Sequence, residues 1–215
     1  NGFSRKSFRY ETEADGRTPK IHVVPVRVSD AHLRGDLWQR SIDAATAAGI
    51  PVWTPRQVWW LVPEAHILNA DGTLRGGTAL GAGFGSGDNP GVGLLGSDGL
   101  ARMKPELLFN NQAYNGQILP DLGPHRLKQD VTFPWFEGTT WSSVASSIVG
   151  AGLHEASHAF GLPHDFRNDD NFHGNLMGNG LRGWRGALYP DRYPSDTVRL
   201  SYGEALALNV SRYFN

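Results

Sequence analysis

Apolar and polar positions alternate in a pattern that changes along the chain, and the changes mark the elements. Ile21 to Val28 (IHVVPVRV) is dense in β-branched residues and predicts a strand, with Pro25 assigning it to an edge or a bulge. Ser29-Asp30 then predicts an N-cap, followed by a helix over about 31–48 with Leu33, Leu37, Ile42 and Ala45 as its buried stripe. Gly49 closes it. Gln57 to Val62 predicts a second strand in an aromatic, β-rich region. Neighbouring strand residues face opposite sides, so Trp59 and Trp60 point apart, as on a sheet covered on both faces. An aromatic contact for a peptide or glycan is the other reading. Asn69-Ala70-Asp71-Gly72 is a turn signal.

From 76 to 100 the period is lost in a run of glycines that includes Gly81, Gly83, Gly91 and Gly93. Gly91-Val92-Gly93-Leu94-Leu95-Gly96 has the bare spacing of a dinucleotide fingerprint, a weak signal by itself, and no Gly-Lys-Ser/Thr ending is present, so loops and irregular strands at a cleft rim are preferred to a phosphate cradle. Residues 104–140 carry four prolines, at 105, 120, 124 and 134, that mark loops, with Leu107-Leu108-Phe109 as a short core run. Helical periodicity returns at Trp141 and runs to Ala159 or Phe160, with Val144, Ile148 and Ala151 on its packed face. A last helix is predicted from Ser201 to about Tyr213, with Ser201 and Glu204 forming a capping box. Residues 1–20 are polar, lack periodicity and read as an extended arm or linker remnant.

The end of the long helix carries the chemistry: His154-Glu155-Ala156-Ser157-His158-Ala159-Phe160-Gly161-Leu162-Pro163-His164, or H-E-x-x-H-x-x-G-x-x-H. On a helix, His154 and His158 leave one face about 6 Å apart, which suits two legs of a tetrahedral zinc centre. Glu155, turned by roughly 100°, reaches the open side as a general base without being a ligand. His164 would lie about 9 Å further along an unbroken helix. Gly161 permits the left-handed residue that ends the helix, and Pro163 prevents its resumption, so His164 can swing back under the metal. The chance expectation for this pattern is on the order of 10⁻⁵ to 10⁻⁴ matches in such a chain, which excludes accident as its source. Asp165 is the rival third ligand, or a carboxylate supporting a ligand histidine or nearby backbone. His173 and His125 are outside candidates.

At these residues the chain resembles the metzincin clan of zinc metallopeptidases. The resemblance extends to Met177, in Asn175-Leu176-Met177-Gly178, which is similar to the clan's Met-turn. The His-Asp pair at 164–165 is similar to the reprolysin, or adamalysin, type, although reprolysins carry disulfides and this chain has no cysteine. The resemblance implies an α+β fold, with a twisted mixed sheet, an active-site helix and a small C-terminal subdomain ending in a helix. It implies one catalytic domain over 21–215, with an upper lobe over 21–161 and a lower lobe over 162–215. It implies one catalytic Zn2+ and zinc-dependent hydrolysis of peptide bonds in a protein or peptide substrate. Residues 178–200 are then expected to wall the pocket for the substrate side chain, with Trp184, Tyr189 and Tyr193 lining it and either tyrosine able to approach the zinc. Part of 91–103 is expected to be the edge strand that pairs with substrate backbone.

Composition narrows the rest. A net charge of −1 argues against a nucleic-acid binder. No apolar run approaches the roughly 20 residues that span a bilayer. The chain begins with Asn and shows no signal peptide, as a processed or excised piece would. Together with the resemblance, the lack of cysteine suggests a secreted or periplasmic bacterial enzyme, expected to be a monomer. The acidic stretch 166–171 is like a calcium loop in composition only; EF-hand spacing is absent, so Ca2+ is unsupported. Seven Trp in this length leave a glycosylated target open, and a zinc hydrolase of a non-peptide amide or ester is the alternative chemistry.

Overall fold

The computed structural model describes residues 8–68, 73–76, 79–83, 89–100, 103–113, 126–127, 140–167, 174–211 and 213–214. Two short helices come first, α1 (Asp30–Gly35) and α2 (Leu37–Ala47). The single helix expected over 31–48 is broken because Asp36, extended at φ −158°, caps α2 through its side chain on the Gln39 amide. Ser29 caps α1 by accepting from the His32 amide, and Gly49, at φ +83°, turns the chain after α2. The expected stripe of Leu33, Leu37, Ile42 and Ala45 is buried.

β1 (Val58–Leu61), β4 (Ala79–Gly83) and β5 (Gly91–Leu95) form a mixed three-stranded sheet. β5 is central, parallel to β1 and antiparallel to β4. Val92 packs with Ile42, Ala45 and Val52 on the α2 side, where Trp59 joins them. Trp60 covers Gly93 on the other side. The two tryptophans therefore serve opposite faces of one sheet. A second sheet orders β2 (His66–Leu68), β3 (Thr73–Gly76) and β6 (Arg126–Leu127). The expected turn at 69–72 lies outside the described residues.

Two strand expectations fail. Residues 21–28 pair with no strand among the described residues, and Ile21 and Val23 are 79% and 86% exposed. Composition supplied β-propensity, but a strand also needs a partner edge, and Pro25 lacks an amide donor. The segment only touches the sheet, through the His22 ring 5.5 Å from that of Trp59. Nor do the described residues of 91–103 form an edge strand. β5 is paired on both sides and buried throughout, α3 (Ser97–Leu100) follows it, and a 3₁₀ turn occupies Pro105–Phe109. The edge is β4. The arm also has local order: Thr12 bridges Pro19, and Asp15 caps the turn between them through the Arg17 and Thr18 amides.

α4 (Trp141–Ala159) is the organising helix. Thr140 caps it by accepting from the Ser143 amide at 3.2 Å. It lies directly on the sheet because the facing strand positions have no side chain. A methyl at Gly81 would overlap the Glu155 carbonyl, and one at Gly83 or Gly91 the Ala159 carbonyl. The glycine run thus brings strand backbone against the last turns of α4. On another side Gly150 admits the backbone of Leu181, in the 3₁₀ turn Asn179–Gly183 that leads into α5 (Trp184–Leu188). The buried face of α4 is rich in serine: Ser142 Oγ donates to Leu108 O at 2.7 Å and Ser146 Oγ to Arg182 O at 2.6 Å. α6 (Tyr202–Val210) closes the chain, with the expected capping box at Ser201 and Glu204 but a shorter span than expected. No described helix is long and apolar enough to cross a membrane.

Candidate metal centre

The last two turns of α4 and the segment after it bring His154, His158 and His164 together. Their ligand nitrogens all lie within 4.8 Å of one another, close enough to hold a metal ion. Among the described residues this is the only such group of three or more His, Cys, Asp or Glu side chains. The bend that recruits His164 is a Schellman cap. Gly161, at φ +91°, donates to His158 O at 2.8 Å, and Leu162 donates to Ser157 O at 3.0 Å. The cap also holds a ligand in place, because His158 Nδ1 donates to Leu162 O at 2.7 Å.

His154 is held in the same way from below, its Nδ1 donating to Leu176 O at 2.7 Å. Leu176 and Met177 form a tight turn, closed by Gly178 N–H on Asn175 O at 3.1 Å and pinned by Met177 N–H on the Asn175 side chain at 2.9 Å. Met177 is fully buried and packs with Leu162 and Leu176 beneath the histidines. The turn expected at 175–178 therefore orients one ligand directly through its backbone.

These bonds decide the tautomers. A carbonyl oxygen can only accept, so Nδ1 of His154 and of His158 carries the proton. In the neutral rings Nε2 is then a bare lone pair. Yet His158 Nε2 stands 3.0 Å from His154 Nε2 and 3.1 Å from His164 Nε2. The facing lone pairs of His154 and His158 repel at that distance unless a cation lies between them. A proton is a poor candidate: burial lowers His154 to about 4 and also pulls His158 down. A metal suits the donor set. Zinc–imidazole bonds of about 2.0–2.1 Å in a tetrahedron put ligand nitrogens roughly 3.3 Å apart, within a few tenths of the observed spacing.

Glu155 is the neighbouring acid. Burial pushes its carboxyl up to about 7. Its backbone abuts β4 at Gly81, which sets the edge of the sheet beside the centre.

Asp165 does not bond a ligand histidine. Its carboxylate is engaged by Arg167, through Nε at 2.9 Å, Nη2 at 2.5 Å and the backbone amide at 3.1 Å, and these bonds hold it well below the usual carboxylate range. Its own amide donates to Met177 O at 3.0 Å, so it supports the turn at 175–178 through backbone. With that carboxylate occupied, His164 and not Asp165 completes the group that could hold an ion.

The three aromatic candidates separate. Trp184 packs against the Leu162, Leu176 and Met177 cluster, under the centre. Tyr193 is buried at the other end of α4, its hydroxyl donating to Leu108 O at 2.5 Å and meeting Ser142 Oγ at 3.1 Å. Ser142 precedes His154 by twelve residues, about 18 Å along the helix, so Tyr193 does not approach the three histidines. Tyr189 lies at that same far end, its ring 4.6 Å from that of Phe109. His125, His173 and 168–173 lie outside the described residues. Sequence reasoning missed the carbonyls of Leu162 and Leu176, which have no side-chain signature, and the Arg167 clamp on Asp165. The Gly81-x-Gly83 and Gly91 positions did carry a signal, since alternate strand residues share a face. Compared with known proteins, the chain matches no family model, and no curated protein matches it significantly.

Proposed function

We propose that the chain is a zinc-dependent endopeptidase of metzincin type. The observation that carries this reading is the convergence of three histidine Nε2 atoms, two of them on rings fixed by backbone carbonyls, in a motif that also carries Glu155. His154, His158 and His164 would hold the ion, and zinc bound there would supply Lewis acidity toward water and a substrate carbonyl. Glu155 does the proton work. As carboxylate it takes the proton from the attacking water, and as carboxylic acid it returns the proton to the departing amine. An ordinary carboxyl would be too weak a base for the first task and would rarely be protonated for the second. Burial, which raises Glu155 toward 7, suits it to both. β4, the sheet edge beside Glu155, offers backbone groups to an extended peptide.

The test is the Glu155→Ala variant. It should bind one zinc per chain, as the parent does, and hydrolyse peptides at most 10⁻² as fast, the general-base contribution being about 10²–10⁴-fold. Full activity in that variant would refute the assignment.

A further inference from the structure

Resting on the peptidase reading, we infer that Phe166 is the specificity-determining residue of the site, selecting peptides with a large, uncharged apolar side chain beside the bond to be cut. Phe166 is 60% exposed, and its ring lies 5.3 Å from the ring of His164, tilted by 37°. A single exposed phenylalanine is ordinary on a protein surface. This one differs in being fixed next to a donor of the metal centre. Asp165 is buried and anchored by its amide on Met177 O at 3.0 Å. Arg167 is anchored in turn, by its amide on Asp165 Oδ1 at 3.1 Å and its guanidinium on both carboxylate oxygens. The backbone is therefore pinned on both sides of Phe166, so the segment that carries the ring has little backbone freedom left to lose on binding.

The same clamp sets the charge preference. Arg167, with a side chain 79% exposed, would by itself attract an acidic substrate, but Asp165 neutralises it at close range. Beside His164 that pair therefore leaves an apolar ring and adds no net charge of its own. An apolar side chain gains contact area there, whereas a charged one loses hydration without gaining a partner. Aromatic contact of this kind corresponds to about a two- to tenfold preference.

The experiment uses binding, so that it does not depend on turnover. Fluorescein-labelled decapeptides of Ala and Gly, carrying Phe, Leu, Ala or Glu at one central position, are titrated by anisotropy against zinc-loaded Glu155→Ala protein. Phe should bind two- to tenfold more tightly than Ala, with Leu between and Glu no better than Ala. Adding Phe166→Ala should bring the Phe-to-Ala ratio close to one, with zinc content measured in both proteins; Phe166→Leu should give an intermediate ratio and serves if the alanine variant loses zinc. Equal affinities in the Glu155→Ala protein, or a preference that survives loss of the ring, would overturn the inference. Hydrolysis of the same peptides by the wild-type chain judges the peptidase reading separately: cleavage without preference sinks only the role of Phe166, and preference without cleavage sinks only the peptidase.

Discussion

Replacing Gly161 with alanine should weaken both the fold and its hold on zinc. Gly161 sits at φ +91°, in the region that L side chains avoid. A Cβ there costs about 1–2 kcal/mol, offset in part by about 0.4–1 kcal/mol because alanine restricts the unfolded chain. The net loss of stability should be about 1 kcal/mol if the cap is kept. If the cap instead relaxes, the bonds from Gly161 to His158 O and from Leu162 to Ser157 O are lost. The Leu162 carbonyl then leaves His158 Nδ1, and His164 moves off the shared axis. Zinc affinity bears whatever strain is needed to restore the cap, at most about 1–2 kcal/mol, or five- to thirtyfold in the dissociation constant. Urea denaturation of the metal-free protein reads the first effect, and competition with a chromophoric chelator reads the second. Gly161→Asn should fall between, because asparagine tolerates the left-handed region. An alanine variant matching the parent in midpoint and zinc affinity would refute the claim that this bend assembles the centre.

Two further outcomes follow from the same geometry. Tyr193→Phe should lower stability by about 0.5–1.5 kcal/mol, through loss of its bond to the Leu108 carbonyl, and leave the pH profile of peptide hydrolysis unmoved; a displaced profile would return Tyr193 to the metal. The pH dependence of stability in the metal-free protein should reveal opposed groups, His158 acting in the same direction as His154. His154 falls from 6.5 to about 4 on folding, so the unfolded chain binds the extra proton and stability is lost as pH drops through that window. Glu155 rises from 4.5 to about 7, so the folded chain binds the extra proton and stability is lost as pH climbs. The slopes oppose each other between 4.5 and 6.5. Glu155→Gln removes one of them, and its denaturation midpoint should rise more steeply with pH there than the parent's; an unchanged slope would contradict the burial assigned to Glu155.

What could be read from sequence was local. His154, Glu155, His158, Gly161 and His164 lie within eleven residues, on one helix end and one turn, where helical geometry and the freedom of glycine determine position. The helix caps at Ser29 and Ser201 were legible for the same reason. What was misread depended on partners distant in the chain. Ile21–Val28 has the composition of a strand but no neighbouring edge among the described residues. β5 looked peripheral because glycine suggested a rim, whereas its glycines mark backbone contact with α4 and Trp60. Tyr193 follows Met177 by sixteen residues, yet the chain carries it to the opposite end of α4, where Ser142 and Leu108 await it.

The central claim is that three imidazoles share one ion. Zinc K-edge X-ray absorption of the metal-loaded protein tests it most directly. The account predicts one zinc per chain with three imidazole nitrogens at about 2.0–2.1 Å and an oxygen donor in the remaining position. A zinc shell with fewer than three imidazoles, or stoichiometric zinc unchanged when His164 is replaced by alanine, would contradict it.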